Sequence, residues 1–185
     1  MKPDQASQGP GLRKQLLLGL LGFLFSFVAM GLVLPGTWQV QREQMIRVSQ
    51  ESLSAEVADL SSWQRWSQWR AELDPSIQLE LGELQRGVGA TQRWAGKTVG
   101  QGSLRITEAD PRGGLRFDLE RGALASRAQL LFEEAGNETR AVWREEGDLG
   151  RGPLAGWRAL VMDGLLGPQL ESQLVELARY AEQAR

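Results

Sequence analysis

The chain has 185 residues, with 21 basic and 23 acidic side chains, a net charge of −2, and neither histidine nor cysteine. Without cysteine, disulfides, thiolate metal sites and thiol nucleophiles are excluded; without histidine, serine–histidine triads, histidine-bearing zinc sites and the commonest general base go too. Residues 1–35 hold three of the basic and one of the acidic side chains, so residues 36–185 carry 18 against 22, a net −4 that repels phosphate backbones and argues against nucleic acid as a partner.

From Leu16 to Leu34 the sequence reads LLLGLLGFLFSFVAMGLVL, 19 residues without a charge, close to the ~20 that cross a bilayer as a helix. A cleaved secretory signal is the alternative, with Ala29-Met30-Gly31 as its small-x-small site. The run is long for that role and continues through Leu32, Val33 and Leu34, so a retained signal anchor is preferred. Lys2, Arg13 and Lys14 precede it while only Arg42 and Arg47 follow closely, which orients the N-terminus toward the cytoplasm. The expected organisation is a cytoplasmic tail over 1–14, a transmembrane signal anchor over 15–35, a linker over 36–39 and a folded domain over 40–185. Pro35-Gly36 ends the helix, and a tether of about 20 Å at ~3.5 Å per residue keeps the domain almost on the membrane.

Beyond the linker, Val40–Val48 reads as extended, and Glu51–Leu60 as a short helix with Leu53, Val57 and Leu60 on one stripe. Trp63, Trp66 and Trp69 recur at every third position and share one side of a turn or short helix. Their acidic surroundings do not suit nucleic-acid stacking; a membrane-interface role has the short tether in its favour, but burial, at ~1.5–3 kcal/mol per large apolar side chain, is preferred, with at least two of the rings facing inward. After the Asp74-Pro75-Ser76 turn come strand-like runs: IQLELG, then VGATQRWAG and TVGQGSLRITEA as a hairpin about Gly96-Lys97. GLRFDLE follows, and ASRAQLLFEE with ETRAVWREE form a hairpin through Ala135-Gly136-Asn137. In GLRFDLE, Leu115, Phe117 and Leu119 alternate with Arg116, Asp118 and Glu120, a dry face and a wet one. A helical pattern from Pro153 to Ala184, interrupted by Gly164, Gly167 and Pro168, ends the chain. Beyond Pro168, read as a first-turn residue, Leu170, Leu174, Leu177 and Ala181 form the apolar stripe that covers the sheet.

These segments carry a family resemblance. VADLSSWQRWSQW, DPSIQLELGELQRGVGATQRWAGKTVGQGSLRITEADP, TRAVWREEGDLG and MDGLLGPQLESQLVELARYAE resemble the START-like (SRPBCC) superfamily, in its polyketide cyclase/dehydrase and lipid-transport branch, and within that the bacterial members with an N-terminal membrane helix. The resemblance implies an α+β helix-grip fold, a curved antiparallel sheet around a long C-terminal helix with a hydrophobic cavity between them; for a bacterial chain, the charge asymmetry about Leu16–Leu34 then gives residence at the inner membrane with the domain on its extracytoplasmic side as the expectation. Two departures stand out: Ser49-Gln50 occupies the place of an Ala-Pro before the first helix, and Gln68 that of a proline between the second and third tryptophans.

The inward set Trp94, Leu104, Ile106, Phe117, Leu130, Phe132, Trp143, Leu170 and Leu174 is the expected cavity lining, with a packed core as its alternative; a ligand needs about 300 Å³ or more. Gly87-Val88-Gly89 and Gly100-Gln101-Gly102 precede strands rather than a helix, which fits sheet curvature and not phosphate binding. Asp74, Glu80, Glu83, Asp118, Glu120 and Asp163 read as solvated, and no metal, cofactor or catalytic residue is expected. The expected function is a membrane-anchored domain that binds or shuttles a hydrophobic, lipid-like molecule, its partners being that molecule and the bilayer through Leu16–Leu34, with no protein partner assigned. Two alternatives have distinct signatures. Cyclase or dehydratase chemistry in the same cavity requires an inward arginine–carboxylate pair; a protein-interaction module requires an exposed apolar patch beside a filled core.

Overall fold

The structure, a computed structural model, describes residues 10–183; Lys2, most of the expected tail and Ala184 lie outside them. Helix α1 (Pro10–Val33) is long and apolar enough to cross a membrane. Every residue from Gly11 to Ser26 is exposed, as expected of a helix that is apolar all round and meets no protein along most of its length.

Strand β1 (Thr37–Ile46) opens earlier than the Val40 expected, so Leu34-Pro35-Gly36 is the whole connection to α1. Its alternation buries Trp38, Val40 and Ile46. Helix α2 (Gln50–Val57) is capped by Ser49, whose Oγ accepts from the Ser52 amide at 3.3 Å; a serine supplies by hydrogen bonding the start that Ala-Pro supplies by geometry. Leu60, expected at the helix end, instead donates its amide to the Gln85 carbonyl at 2.8 Å. The single-turn α3 (Trp63–Trp66) follows.

Strands β2 (Gln78–Leu81), β3 (Thr91–Gly96), β4 (Gly100–Asp110), β5 (Gly114–Arg121), β6 (Leu124–Ala135) and β7 (Glu138–Asp148) complete one antiparallel sheet in the order β1-β7-β6-β5-β4-β3-β2. Helix α4 (Ala155–Gln183) lies across its dry face. This is the helix-grip arrangement. Near one end Gly156 packs on Leu34; further along, Arg42 grips both carboxylate oxygens of Asp163 at 2.8 and 3.0 Å, and Glu182 accepts from the Arg47 amide at 3.0 Å. The helix therefore runs in the direction of β1, away from the end of α1.

One expectation needs correction. Pro168 does not begin a helix but sits inside α4, which is unbroken from Ala155. An interior proline forfeits a backbone bond and costs about 3 kcal/mol. Leu166 and Gly167 before it and Leu170 after it are all buried, and holding both halves against one sheet outweighs that loss.

The glycines of the β3–β4 region are used for close approach. Trp94 faces Gly102 across the strand pair, and a Cβ on Gly102 would lie 2.3 Å from the indole and 2.2 Å from the Glu120 carbonyl oxygen. Trp38 covers Gly147 in the same way at the opposite side of the sheet. An aromatic ring laid over a cross-strand glycine fills the space that the missing side chain leaves.

Candidate functional site

The interior is built around tryptophan. Trp63, Trp66 and Trp69 are all buried. Trp63 lies 4.7 Å from Trp66 and 5.8 Å from Trp69 between ring centres, with Phe117 edge-on at 5.3 Å. Trp66 meets Trp143 edge-on at 6.2 Å, and Trp69 approaches Trp94 to 4.4 Å. Tilted, stacked and edge-on contacts at these distances are the favourable geometries of aromatic pairs. Five indoles and a phenyl ring thus form a layer between sheet and helix.

The nine residues expected to line a cavity, Trp94, Leu104, Ile106, Phe117, Leu130, Phe132, Trp143, Leu170 and Leu174, are brought together in one buried cluster. Trp94, Phe117 and Trp143 belong to the ring layer itself, and the other six pack around it. Trp94 alone among them borders any of the three concavities described for this fold, and that one opens across β2, β3 and β4.

The concavity that borders Trp66 and Trp69 has a volume of about 540 Å³ and lies between the tryptophan segment, the β3–β4 hairpin and the middle of α4. Trp66, Trp69, Leu73 and Val99 give it apolar walls, Pro168, Gln169, Ser172 and Gln173 face it from α4, and Arg121 reaches it from the end of β5. Arg70 and Glu176 close its rim as a half-buried ion pair at 3.3 Å. A larger hollow of about 920 Å³ crosses β1, β7, β6 and β5, where Asp118, Glu120, Arg127 and Glu146 of the wet phase line it together with Trp38, Leu119 and Ser126 of the dry one.

Four polar side chains on the dry face are absent from the sequence reading. Glu145 is 0% exposed; its Oε1 accepts from the Arg121 guanidinium and, at 2.7 Å, from Ser126 Oγ. Burial pushes Arg121 down to about 10, which leaves it charged at neutral pH. The other Glu145 oxygen has no hydrogen-bond partner among the described residues, nor does either amide atom of Gln92, itself fully buried. The indole N–H groups of Trp38, Trp66, Trp94 and Trp143 share that condition. Native interiors hold few such groups. Strand phase locates them: Arg121 continues Leu115-Phe117-Leu119, Glu145 continues Ala141-Trp143, Ser126 precedes Ala128-Leu130, and Gln92 precedes Trp94.

Asp74 corrects another expectation. Far from being solvated, it is 1% exposed, and accepts from Ser76 Oγ at 2.6 Å and from the amides of Ser76, Thr98 and Val99 at 3.0, 2.7 and 3.0 Å. The Ser76 hydroxyl first, then these amides, hold its carboxyl well below the ordinary aspartate range. It fastens the tip of the β3–β4 hairpin beside the pocket.

The sequence profile of the polyketide cyclase/dehydrase and lipid transport family matches residues 37–182. The chain belongs to this family. Membership and fold together suggest hydrophobic-ligand binding or cyclase-type chemistry for the polyketide cyclase/dehydrase domain. Solved structures share its fold: SA2116 of Staphylococcus aureus, a protein of unknown function (TM-score 0.65, 9% identity, 80% of this chain and 95% of that one); TTHA0849 of Thermus thermophilus (TM-score 0.59, 20% identity, 79% and 98%); and the di-domain ARO/CYC BexL of the BE-7585A biosynthetic pathway (TM-score 0.57, 16% identity, 78% and 46%). At these identities the likeness shows fold alone. No curated protein matches the chain.

Proposed function

We propose that the chain is a membrane-anchored domain that binds or shuttles a hydrophobic, lipid-like small molecule, with α1 as a single-pass anchor in the inner membrane and the domain on the extracytoplasmic side. The observation that carries the reading is the pocket of about 540 Å³ over Trp66 and Trp69, walled by Leu73, Val99 and α4. Its size suits a small apolar ligand. With rings occupying the deeper space, the ligand lies along the tryptophan layer, of which Phe117 and Trp143 are part; Leu104, Ile106, Leu130 and Phe132 support it from the sheet, and Leu170 and Leu174 flank it from α4. Arg121 and Gln173 supply polar contacts for one end of the molecule.

Native mass spectrometry and organic extraction of the protein purified from membranes test this. Recovery of a stoichiometric apolar compound is expected, and its loss in a variant with the pocket filled identifies the site. Repeated recovery of empty protein overturns the reading. A reporter fused at Arg185 checks topology: periplasmic activity is expected.

A second reading, cyclase or dehydratase chemistry, is favoured by the inward Arg121–Glu145 pair with Ser126. The guanidinium borders the pocket and is a donor suited to polarising a carbonyl, and the unpartnered oxygen of Glu145, buried behind it, is an acceptor suited to taking a proton. Glu145→Gln separates the readings. Retained ligand with lost turnover of a poly-carbonyl test compound supports an enzyme; no turnover by the unaltered protein leaves binding as the function.

A further inference from the structure

We propose that Leu154 and the first three turns of α4 lie in the lipid of the leaflet through which α1 emerges, with Leu154, Val161 and Leu165 facing lipid and Trp157, on the same stripe, packed on α1. The proposal rests on the reading of α1 as a membrane-spanning helix and adds a second, separate element to the membrane contact.

Three observations converge. Leu154, Val161 and Leu165 are 58%, 54% and 60% exposed, on the side of α4 opposite Gly156, Met162, Leu166 and Leu170, which are buried toward the fold. Recurrence at three and four residues makes Leu154, Trp157, Val161 and Leu165 one continuous strip. Scattered exposed aliphatics are ordinary, but a strip of this kind marks an interaction surface.

The depth of this strip is set by α1. Trp157 stacks parallel on Phe27, ring centres 4.7 Å apart, and its Nε1 donates to the Phe27 carbonyl at 3.2 Å. Gly31 admits the Pro153 carbonyl, which a Cβ there would meet at 1.9 Å, and Gly156 likewise admits Leu34. Phe27 lies seven residues before Leu34, the end of the apolar run, so Trp157 is held about 10 Å inside that end at 1.5 Å per residue. An apolar run that spans the ~30 Å hydrocarbon core carries the start of α4 into lipid with it.

Charge agrees. Asp163, the one acid between Arg151 and Pro168, is turned to the opposite side and held by Arg42. Arg151 and Arg158 remain at the margin, where their stems can follow the apolar surface and their heads reach phosphate. The strip also runs toward Pro168, the first α4 residue on the pocket wall, so the lipid-facing side leads to the proposed binding site.

A chain without cysteine allows single-cysteine nitroxide labelling in the full-length protein, reconstituted in phosphatidylethanolamine/phosphatidylglycerol vesicles. Leu154→Cys, Val161→Cys and Leu165→Cys are compared with Glu134→Cys on the far hairpin and Leu21→Cys in α1. Expected is a higher ratio of oxygen to water-soluble nickel-complex collisions at 154, 161 and 165 than at 134, approaching the ratio at 21. Ratios at 161 and 165 equal to that at 134, with 21 in lipid, overturn this proposal and leave the anchor intact. A water-like ratio at 21 overturns both. Spin–spin broadening confined to the α4 labels assigns the strip to a second copy of the chain and also overturns the proposal.

Discussion

Arg121 and Glu145 meet across the dry face of the sheet, the guanidinium donating to the Oε1 that Ser126 also holds. A charge pair in such a place contributes little net stability while complete, yet removing one member strands the other. Arg121→Met is therefore expected to cost about 3–5 kcal/mol, and the double replacement Arg121→Met with Glu145→Met to recover most of it. Urea unfolding of the three proteins checks this; a double variant as unstable as the single one would mean that the pair is worth more than its desolvation.

Acid sensitivity is expected from Asp74. Its carboxyl is depressed in the fold, so it binds a proton less readily there than in the unfolded chain, where the ordinary value is ~3.9. The stability it contributes is present in full above that value and is lost as pH falls through it toward the folded value. Asp74→Asn removes the acceptor shared by the Thr98 and Val99 amides. The variant should unfold at lower urea than the parent at pH 7, and the gap should narrow steadily below about pH 4.

Gly102→Ala places a methyl group against the Trp94 ring and the Glu120 carbonyl. Either β4 shifts or the indole leaves its contact with Trp69, and overpacking of this kind costs about 1–3 kcal/mol. A lower thermal midpoint together with reduced near-ultraviolet circular dichroism is expected, because the same displacement disturbs a coupled ring pair.

Ser172 is an exposed residue on the pocket wall. Ser172→Trp should occupy the space over Trp66 and Trp69 and abolish recovery of the bound compound, with stability changed by no more than about 0.5 kcal/mol, as at an ordinary surface site. Unchanged recovery would place the ligand elsewhere.

The sheet and its cover are legible in the sequence because they rest on repeating patterns: the alternation of Leu115, Phe117 and Leu119, and the four-three-four spacing of Leu170, Leu174, Leu177 and Ala181. What escapes is polar chemistry at the ends of those patterns. Reading β5 as far as Glu120 stops one residue short of Arg121, and Glu145, two residues beyond Trp143, looks like surface because it is charged. The same alternation, followed regardless of residue type, points both inward. Asp74 escapes for another reason: its partners, Thr98 and Val99, come from a hairpin that local sequence does not bring near. Pro168 misleads because local preference favours a helix start, and only burial of Leu166 and Leu170 against one sheet decides otherwise. That five indoles stand together between sheet and α4 is a matter of volume, which no pattern encodes.

Strand order has a consequence for how such a protein is made. β1, the strand that follows α1, pairs among the described residues only with β7, and α4 comes later still. During synthesis the first strand leaves the ribosome with no partner and waits until nearly all the rest has followed. Contacts so far apart in sequence form slowly, so the sheet must grow from its central hairpins and seal against β1 last. With α1 inserted as proposed, a stalled or truncated nascent chain presents a membrane-held helix followed by an open β-edge, a substrate for quality-control proteases or chaperones at the membrane.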